Sequence, residues 1–215
     1  MNSYVREPIN TYTHLFGAIL SIFALIAMLF KVSGGNSTAL AITSVVIFGS
    51  SMILLYSASA IYHMVISSDK TLKFLRRLDH SMIFVLIAGT YTPFCLIALN
   101  GPKGWVLFIS VCTIAILGIL FKMCWFKCPR WLSTGIYIAM GWLAIFLAPS
   151  LYKALSPGGL FLLVLGGVLY TIGGVIYGLK PKFSRLKTLG HHEIFHIFIL
   201  LGTLSHYLSV YFYVI

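Results

Sequence analysis

The sequence predicts an all-α fold: a polytopic membrane protein of seven transmembrane helices, amino terminus cytoplasmic and carboxyl terminus outside. Three observations carry this. Of 215 residues, 60% are hydrophobic and 9% charged, where a soluble domain has about 45–50% apolar and about 25% charged residues. Apolar runs long enough to cross a bilayer, about 20 residues each, recur seven times. Lysine and arginine alternate between the segments that connect them.

The runs cover roughly 15–32, 40–65, 80–99, 104–123, 132–152, 158–179 and 191–213. They are continuously apolar and lack the period-2 alternation of a barrel strand, so helices are expected. Little chain remains for anything else, and residues 1–215 are read as one membrane domain. The first run is longer than a signal-peptide core, and Lys31 and the Gly34-Gly35 pair follow it instead of a cleavage site. It is read as the first span. Mean hydropathy is +0.99, which excludes a secreted disulfide domain, a disordered chain and an ordinary cytosolic enzyme.

Twelve of the 15 cations fall on one side: Arg6; Lys70, Lys73, Arg76 and Arg77; Lys122, Lys127 and Arg130; Lys180, Lys182, Arg185 and Lys187. Only Lys31, Lys103 and Lys153 fall on the other. The positive-inside rule puts the larger set in the cytoplasm. Opposite termini require an odd number of spans, as seven is. Trp125, Trp131 and Trp105 stand at interfacial positions, and Tyr207, Tyr211 and Tyr213 mark the outer end of the last helix. The net charge of +11 does not indicate a nucleic-acid partner, because the cations lie in short gaps between apolar runs. Membrane lipids are the expected partners.

Lesser features are mostly structural. Cys95, Cys112, Cys124 and Cys128 lack redox or zinc-ribbon spacing and read as free thiols. Gly174 and Gly178 form a small-xxx-small pair suited to close helix packing. Pro93 is expected to bend the third span or free a carbonyl. No internal repeat and no broken helix pair at mid-membrane is read, which weighs against a transporter.

Ionisable residues inside membrane helices are costly and mark sites. Glu7, Asn10 and His14 lie at the inner end of the first span, and His63 at the inner end of the second. Ser59 is one turn deeper than His63 on the same face. Asp79 and His80 are read in the first turn of the third span, with Asp69 in the preceding loop. His191, His192, Glu193 and His196 open the seventh. Six of seven histidines thus share one depth. His206 is the exception, about 15 Å deeper than His196 at 1.5 Å per residue.

His192 and His196 are an i, i+4 pair and can ligate one ion. With His63 at the same depth, a three-histidine site is feasible. Three imidazoles and an open position suit a catalytic zinc, with Asp79 to orient or deprotonate its water. Simpler readings stand beside this one. Asp79 also suits a helix N-cap. Ser59 packs or back-bonds as readily as it lines a site. His14 and His206 are expected to hydrogen-bond neighbouring helices. Glu193 faces either the ligands or lipid headgroups, and His80 and His191 are expected at the interface.

Three blocks are specific when taken together: Glu7-Pro-Ile-Asn10-Thr-Tyr-Thr-His14, Ser59-Ala-Ile-Tyr-His63 with Leu78-Asp79-His80-Ser81, and His192-Glu-Ile-Phe-His196. Their order and the seven-span layout resemble the bacterial haemolysin III family, a branch of the progestin and adipoQ receptor superfamily. The resemblance implies a zinc ion near the inner leaflet held by His63, His192 and His196. It also implies an acid, Asp79, contacting the metal through water, and a serine, Ser59, one turn before the first ligand. It places the chain in the bacterial cytoplasmic membrane. Related branches are associated with ceramide hydrolysis, and bacterial members with haemolysis and membrane homeostasis. Three functions follow as expectations: a zinc-dependent hydrolase of lipid amides or esters, a cytolysin, or a non-enzymatic regulator whose zinc staples the helices.

Overall fold

A computed structural model describes residues 4–35, 38–125, 128–181 and 189–215. Lys127, Lys182, Arg185 and Lys187, counted above among the cations of one side, lie outside the described residues. The helices are α1 (Pro8–Ser33), α2 (Ala39–Met64), α3 (Asp69–Pro93), α4 (Pro102–Cys124), α5 (Arg130–Gly141), α6 (Ala148–Ala154), α7 (Pro157–Leu179) and α8 (His191–Tyr213). Seven continuous or interrupted spans result, each long and apolar enough to cross a membrane, and no strand occurs among the described residues.

Local chemistry starts these helices. Thr38, Ser68 and Ser156 cap α2, α3 and α7, each side-chain oxygen accepting an amide N–H of the first turn. Prolines stand in the first turns of α1, α4, α6 and α7, where a missing N–H costs nothing. Ser68 as the cap moves the start of the third span back from 80 to Asp69. Asp69 is therefore helical rather than in a loop. Asp79 lies nearly three turns inside and is not an N-cap. The first span likewise starts at Pro8 rather than 15.

Two irregularities shape the interior. After Pro93 the chain makes a π-turn, Phe94–Ala98, in which Leu99 N–H donates to Phe94 O at 3.0 Å. Proline lacks the N–H that the fourth preceding carbonyl needs, so the ladder shifts register. The fifth span, expected as one helix over 132–152, is broken. α5 ends at Gly141, a 3₁₀ stretch covers Leu143–Leu147, and α6 resumes at Ala148. Pro149 explains this, since its ring excludes a helical carbonyl at Ile145. Tyr91 of α3 repairs the gap: its hydroxyl donates to Gly141 O at 2.7 Å and accepts Ala144 N–H at 2.9 Å. Buried protein, not lipid, thus satisfies the interrupted backbone.

The helices form a ring. α4 packs on α3, α3 on α2, α2 on α1, α1 on α8, α8 on α7 and α7 on α5, while α5 also touches α3. The polarity is that of a membrane bundle. Phe16, Phe23 and Phe30 of α1 and Val106, Ile109 and Ile116 of α4 face outward. Ser44, Ser51, Ser81, Thr92, Ser205 and Ser209 are buried. Gly174, packed against Thr134 and Ile138, lets α7 approach α5 closely.

Candidate metal centre

The chain end preceding α1 builds one wall of the site. The last carbonyls of α2 have no helical partner. Arg6 N–H donates to Met64 O at 3.2 Å, Glu7 N–H to His63 O at 3.0 Å, and Arg6 Nη2 to Tyr62 O at 2.6 Å. This pairing sets the Glu7 carboxylate against the His63 ring, with Oε2 2.6 Å from Nδ1. Asn10, one turn into α1, donates to the same oxygen at 2.9 Å. The hydrogen bond with His63 above all, with help from Asn10 and Arg6, outweighs burial and holds the Glu7 carboxyl down at about 2. An ionised Glu7 requires a proton on His63 Nδ1, which leaves Nε2 as the free lone pair.

His63 Nε2 faces His192 Nε2 at 3.3 Å. The three ring centroids are 5.0 Å apart for His63–His192, 5.0 Å for His63–His196 and 4.6 Å for His192–His196. One nitrogen from each ring lies within 4.8 Å of the other two. Nitrogens about 2.0–2.1 Å from a common tetrahedral ion stand about 3.3–3.4 Å apart, so the His63–His192 spacing already fits one tetrahedral edge. The donor set also fits: His63 and His196 are each 1% exposed and His192 is half-buried, and three such imidazoles with a carboxylate behind one of them form a recurrent metal-binding arrangement. These residues can hold a metal ion.

Other expected residues fall around this cluster. His14 stacks on His196, with centroids 3.6 Å apart and planes within 10°, and meets Tyr56 edge-on. The aromatic surfaces of His196 and Tyr56 hold it in place. Ser59 and Asp79 are both buried, and Ser59 Oγ does not back-bond to its helix. Glu193 does not join the ligands. Its carboxylate folds back over Gly190, where an added Cβ would come within 2.7 Å of Oε2.

Ser59, Asp79, His14, His192 and His196 line one end of a cavity of about 260 Å³. Its remaining wall is largely apolar and runs past Ile83, Ile87 and Leu163 toward Leu99 and Leu160. Trp142, Ile145 and Val164 both line it and are exposed on the outer surface, so it approaches the outside beside the break in the fifth span. His206 lines its far half, buried against Tyr170 and Phe94, with Nδ1 unpartnered rather than bonded to a neighbouring helix. His80 lines the cavity instead of the interface, its backbone carbonyl accepting from Tyr137. Arg76, Arg77 and Lys122, read as connecting-segment charges, are helical and line it too. Tyr91, Tyr137 and Tyr177 were not singled out in the sequence. Aromatic residues are common enough in such helices to carry no signal by themselves.

Comparison with known proteins agrees with this geometry. A family profile described as "Haemolysin-III related" matches residues 2–207. The chain is 43% identical to "Hemolysin-3" of Bacillus cereus over 216 residues, covering 100% of this chain and 95% of that one. It is 43% identical to "Hemolysin-3 homolog" of Bacillus subtilis (strain 168), covering 97% and 95%. It is 29% identical to "Heptahelical transmembrane protein 1" of Arabidopsis thaliana, covering 95% and 68%. The match runs from the Glu7 block through the His192 pair, the same residues that the fold gathers at one end of its helices, and on that footing the chain belongs to the haemolysin-III related family of multi-pass membrane proteins.

Proposed function

We propose that this protein is a zinc-dependent hydrolase of lipid acyl linkages, amide or ester, in the bacterial cytoplasmic membrane, with its amino terminus and its histidine cluster at the cytoplasmic leaflet. One observation carries the reading. The three convergent histidines, two of which line the wall, stand with a buried acid and a buried serine at one end of a mostly apolar cavity that approaches the outer surface of the bundle. A structural metal needs no such chamber.

His63, His192 and His196 would hold the zinc. When bound it would supply Lewis acidity and a water acidic enough to ionise near pH 7. The protein's own groups do the rest. Glu7 fixes the His63 tautomer. The cavity wall aligns the acyl chain and brings its carbonyl to the polar end. Asp79 accepts the proton of the attacking water. The water oxygen bonds to the acyl carbon, the carbon–nitrogen or carbon–oxygen bond breaks, and Asp79 passes the proton to the leaving atom. Ser59 Oγ, buried at the same end of the cavity, donates to the carbonyl oxygen as charge develops there.

The test pairs metal content with turnover. Wild-type protein in detergent is expected to carry about one zinc per chain, and His196→Ala to lose it. Asp79→Asn is expected to keep the metal and lose hydrolysis by about 10²-fold or more. Wild-type turnover in Asp79→Asn would remove Asp79 from the mechanism. Zinc without turnover on any acyl lipid would leave the ion as a staple between α2 and α8. Dye release from liposomes by zinc-free protein would instead favour cytolysis, the property for which the bacillar relatives are named.

A further inference from the structure

Arg76 and Arg77 of α3, Lys122 of α4 and Arg130 of α5 line the cavity at its polar end, and Asp79 is the one carboxylate among the described residues that line it. Cations at a helix end ordinarily snorkel outward. Lys122 does the reverse. It is 7% exposed, donates to Ser133 Oγ, and holds its ammonium 5.9 Å from the centre of the Tyr137 ring. Among the described residues no carboxylate lies within ion-pair distance of Lys122 or Arg130. A buried ammonium without an anion is costly inside a membrane protein.

A second observation points the same way. Thr134, 6% exposed and lining the same wall, keeps its Oγ1 buried with no hydrogen-bond partner. Lys122, Arg76 and Arg130 line the same cavity as His80. The wall is also next to the metal centre. Arg130 lies 5.5 Å from the centre of the Tyr177 ring, and that ring lies 5.5 Å from the His192 ring.

We infer that this cationic wall is the headgroup subsite of the lipid site, and that it takes the phosphate of a phosphoglycerolipid whose acyl chain occupies the apolar part of the cavity. A phosphate brings a negative charge to Lys122 and Arg130, which have no carboxylate within ion-pair distance among the described residues. Guanidinium groups bind it through paired N–H donors, the lysine binds it as a point charge, and the Thr134 hydroxyl donates to it. Free phosphate has the same headgroup chemistry but would leave the adjoining apolar chamber unfilled. In a phosphoglycerolipid only the glycerol separates phosphate from acyl ester. A molecule held by Arg130 and Lys122 therefore presents its ester toward His192, across Tyr177. The inference rests on the reading of the cavity as a lipid chamber and narrows it from acyl lipids in general to anionic phosphoglyceride esters.

Binding is measured on the full chain in a neutral detergent with chelator present, so that no turnover occurs and the outcome is independent of the metal. The probes are dihexanoyl phosphatidic acid, dihexanoylglycerol and inorganic phosphate. Wild type is expected to bind the phosphatidic acid at least about tenfold more tightly than either other probe, ~1.4 kcal/mol. Lys122→Met and Arg130→Gln should each erase most of that preference while leaving dihexanoylglycerol binding unchanged. Lys122→Arg should keep it. Lys70→Met with Lys73→Met, which removes two exposed cations of α3, should also keep it. Equal binding of the charged and neutral lipids by wild type overturns the proposal, as does a preference that survives Arg130→Gln and every folded Lys122 variant. Inorganic phosphate binding as tightly as the lipid overturns the lipid source. Loss of zinc or turnover elsewhere bears on the hydrolase reading and leaves this comparison intact.

Discussion

Replacing Glu7 by Gln isolates the contribution of the carboxylate behind His63. The carboxylate lies 2.6 Å from His63 Nδ1, a charge-assisted contact of the kind worth about 1.5–3 kcal/mol. Carboxylates that orient metal-bound histidines typically contribute 10–100-fold to affinity, about 1.4–2.7 kcal/mol. The two routes agree. His63 is 1% exposed but the Glu7 side chain is 38% exposed, so solvent screening moves the expectation to the lower end. Glu7→Gln should weaken zinc binding about tenfold, read by competition with a chromophoric chelator on detergent-purified protein. Glutamine is close in size and can still accept from Asn10 and His63, so the fold should persist. Asn10→Ala, which removes only the 2.9 Å bond to Glu7, should cost less. Zinc affinity in Glu7→Gln within about twofold of wild type would refute the argument, because orientation of a ligand by the carboxylate behind it would then contribute nothing here.

Three further outcomes follow from the packing and from the acid itself. Tyr91→Phe leaves the Gly141 carbonyl and the Ala144 N–H without their partner at the break in the fifth span; it should destabilise the protein by about 1–3 kcal/mol, seen as a lower melting temperature in detergent, and an unchanged melt would mean that water or lipid serves those groups instead. Gly104→Ala would press a Cβ into the backbone carbonyl of Cys95 beside the π-turn; overpacking of this kind costs about 1–3 kcal/mol, and wild-type stability would show that the turn yields. Glu7 has a lowered folded pKa, so its stabilisation is present above its ordinary value of 4.5 and is lost as pH falls toward about 2. The melting deficit of Glu7→Gln relative to wild type should therefore shrink as pH is lowered below 4.5, and a deficit that grows on acidification would assign the effect to another group.

Much of the fold was legible because a bilayer imposes a length and an apolar composition on each span. The limits of that signal are visible in α3. Its first three turns hold Lys70, Lys73, Arg76 and Arg77, and hydropathy therefore begins the span at 80. The helix begins where Ser68 caps it, and capping chemistry is independent of hydropathy. The same blind spot turned Arg76, Arg77 and Lys122 into loop charges, although they belong to helices and reach the cavity. Pro149 could have announced the break in the fifth span. An isolated proline, however, is compatible with a kink as well as a break, and the partner that makes a break tolerable, Tyr91, lies two spans earlier.

The histidine cluster was legible for a different reason. Depth and spacing alone bring His63, His192 and His196 to one level, because α2 and α8 have ends at the same side and i, i+4 residues share a face. What depth cannot supply is azimuth, the direction in which a residue faces around its helix. His14 shares the depth yet stacks on His196 instead of joining the cluster, and Glu193 shares the helix yet turns back to Gly190. Azimuth at Glu7 comes from a source outside helix periodicity. The C-terminal carbonyls of α2 need donors, and Arg6 and Glu7 provide them. Satisfying a helix end and orienting the His63 ring are here one set of contacts: the backbone pairing that finishes α2 is the same pairing that holds a carboxylate on His63. A substitution that loosens the segment before α1 therefore acts on the histidine cluster even where it leaves all three histidines in the chain.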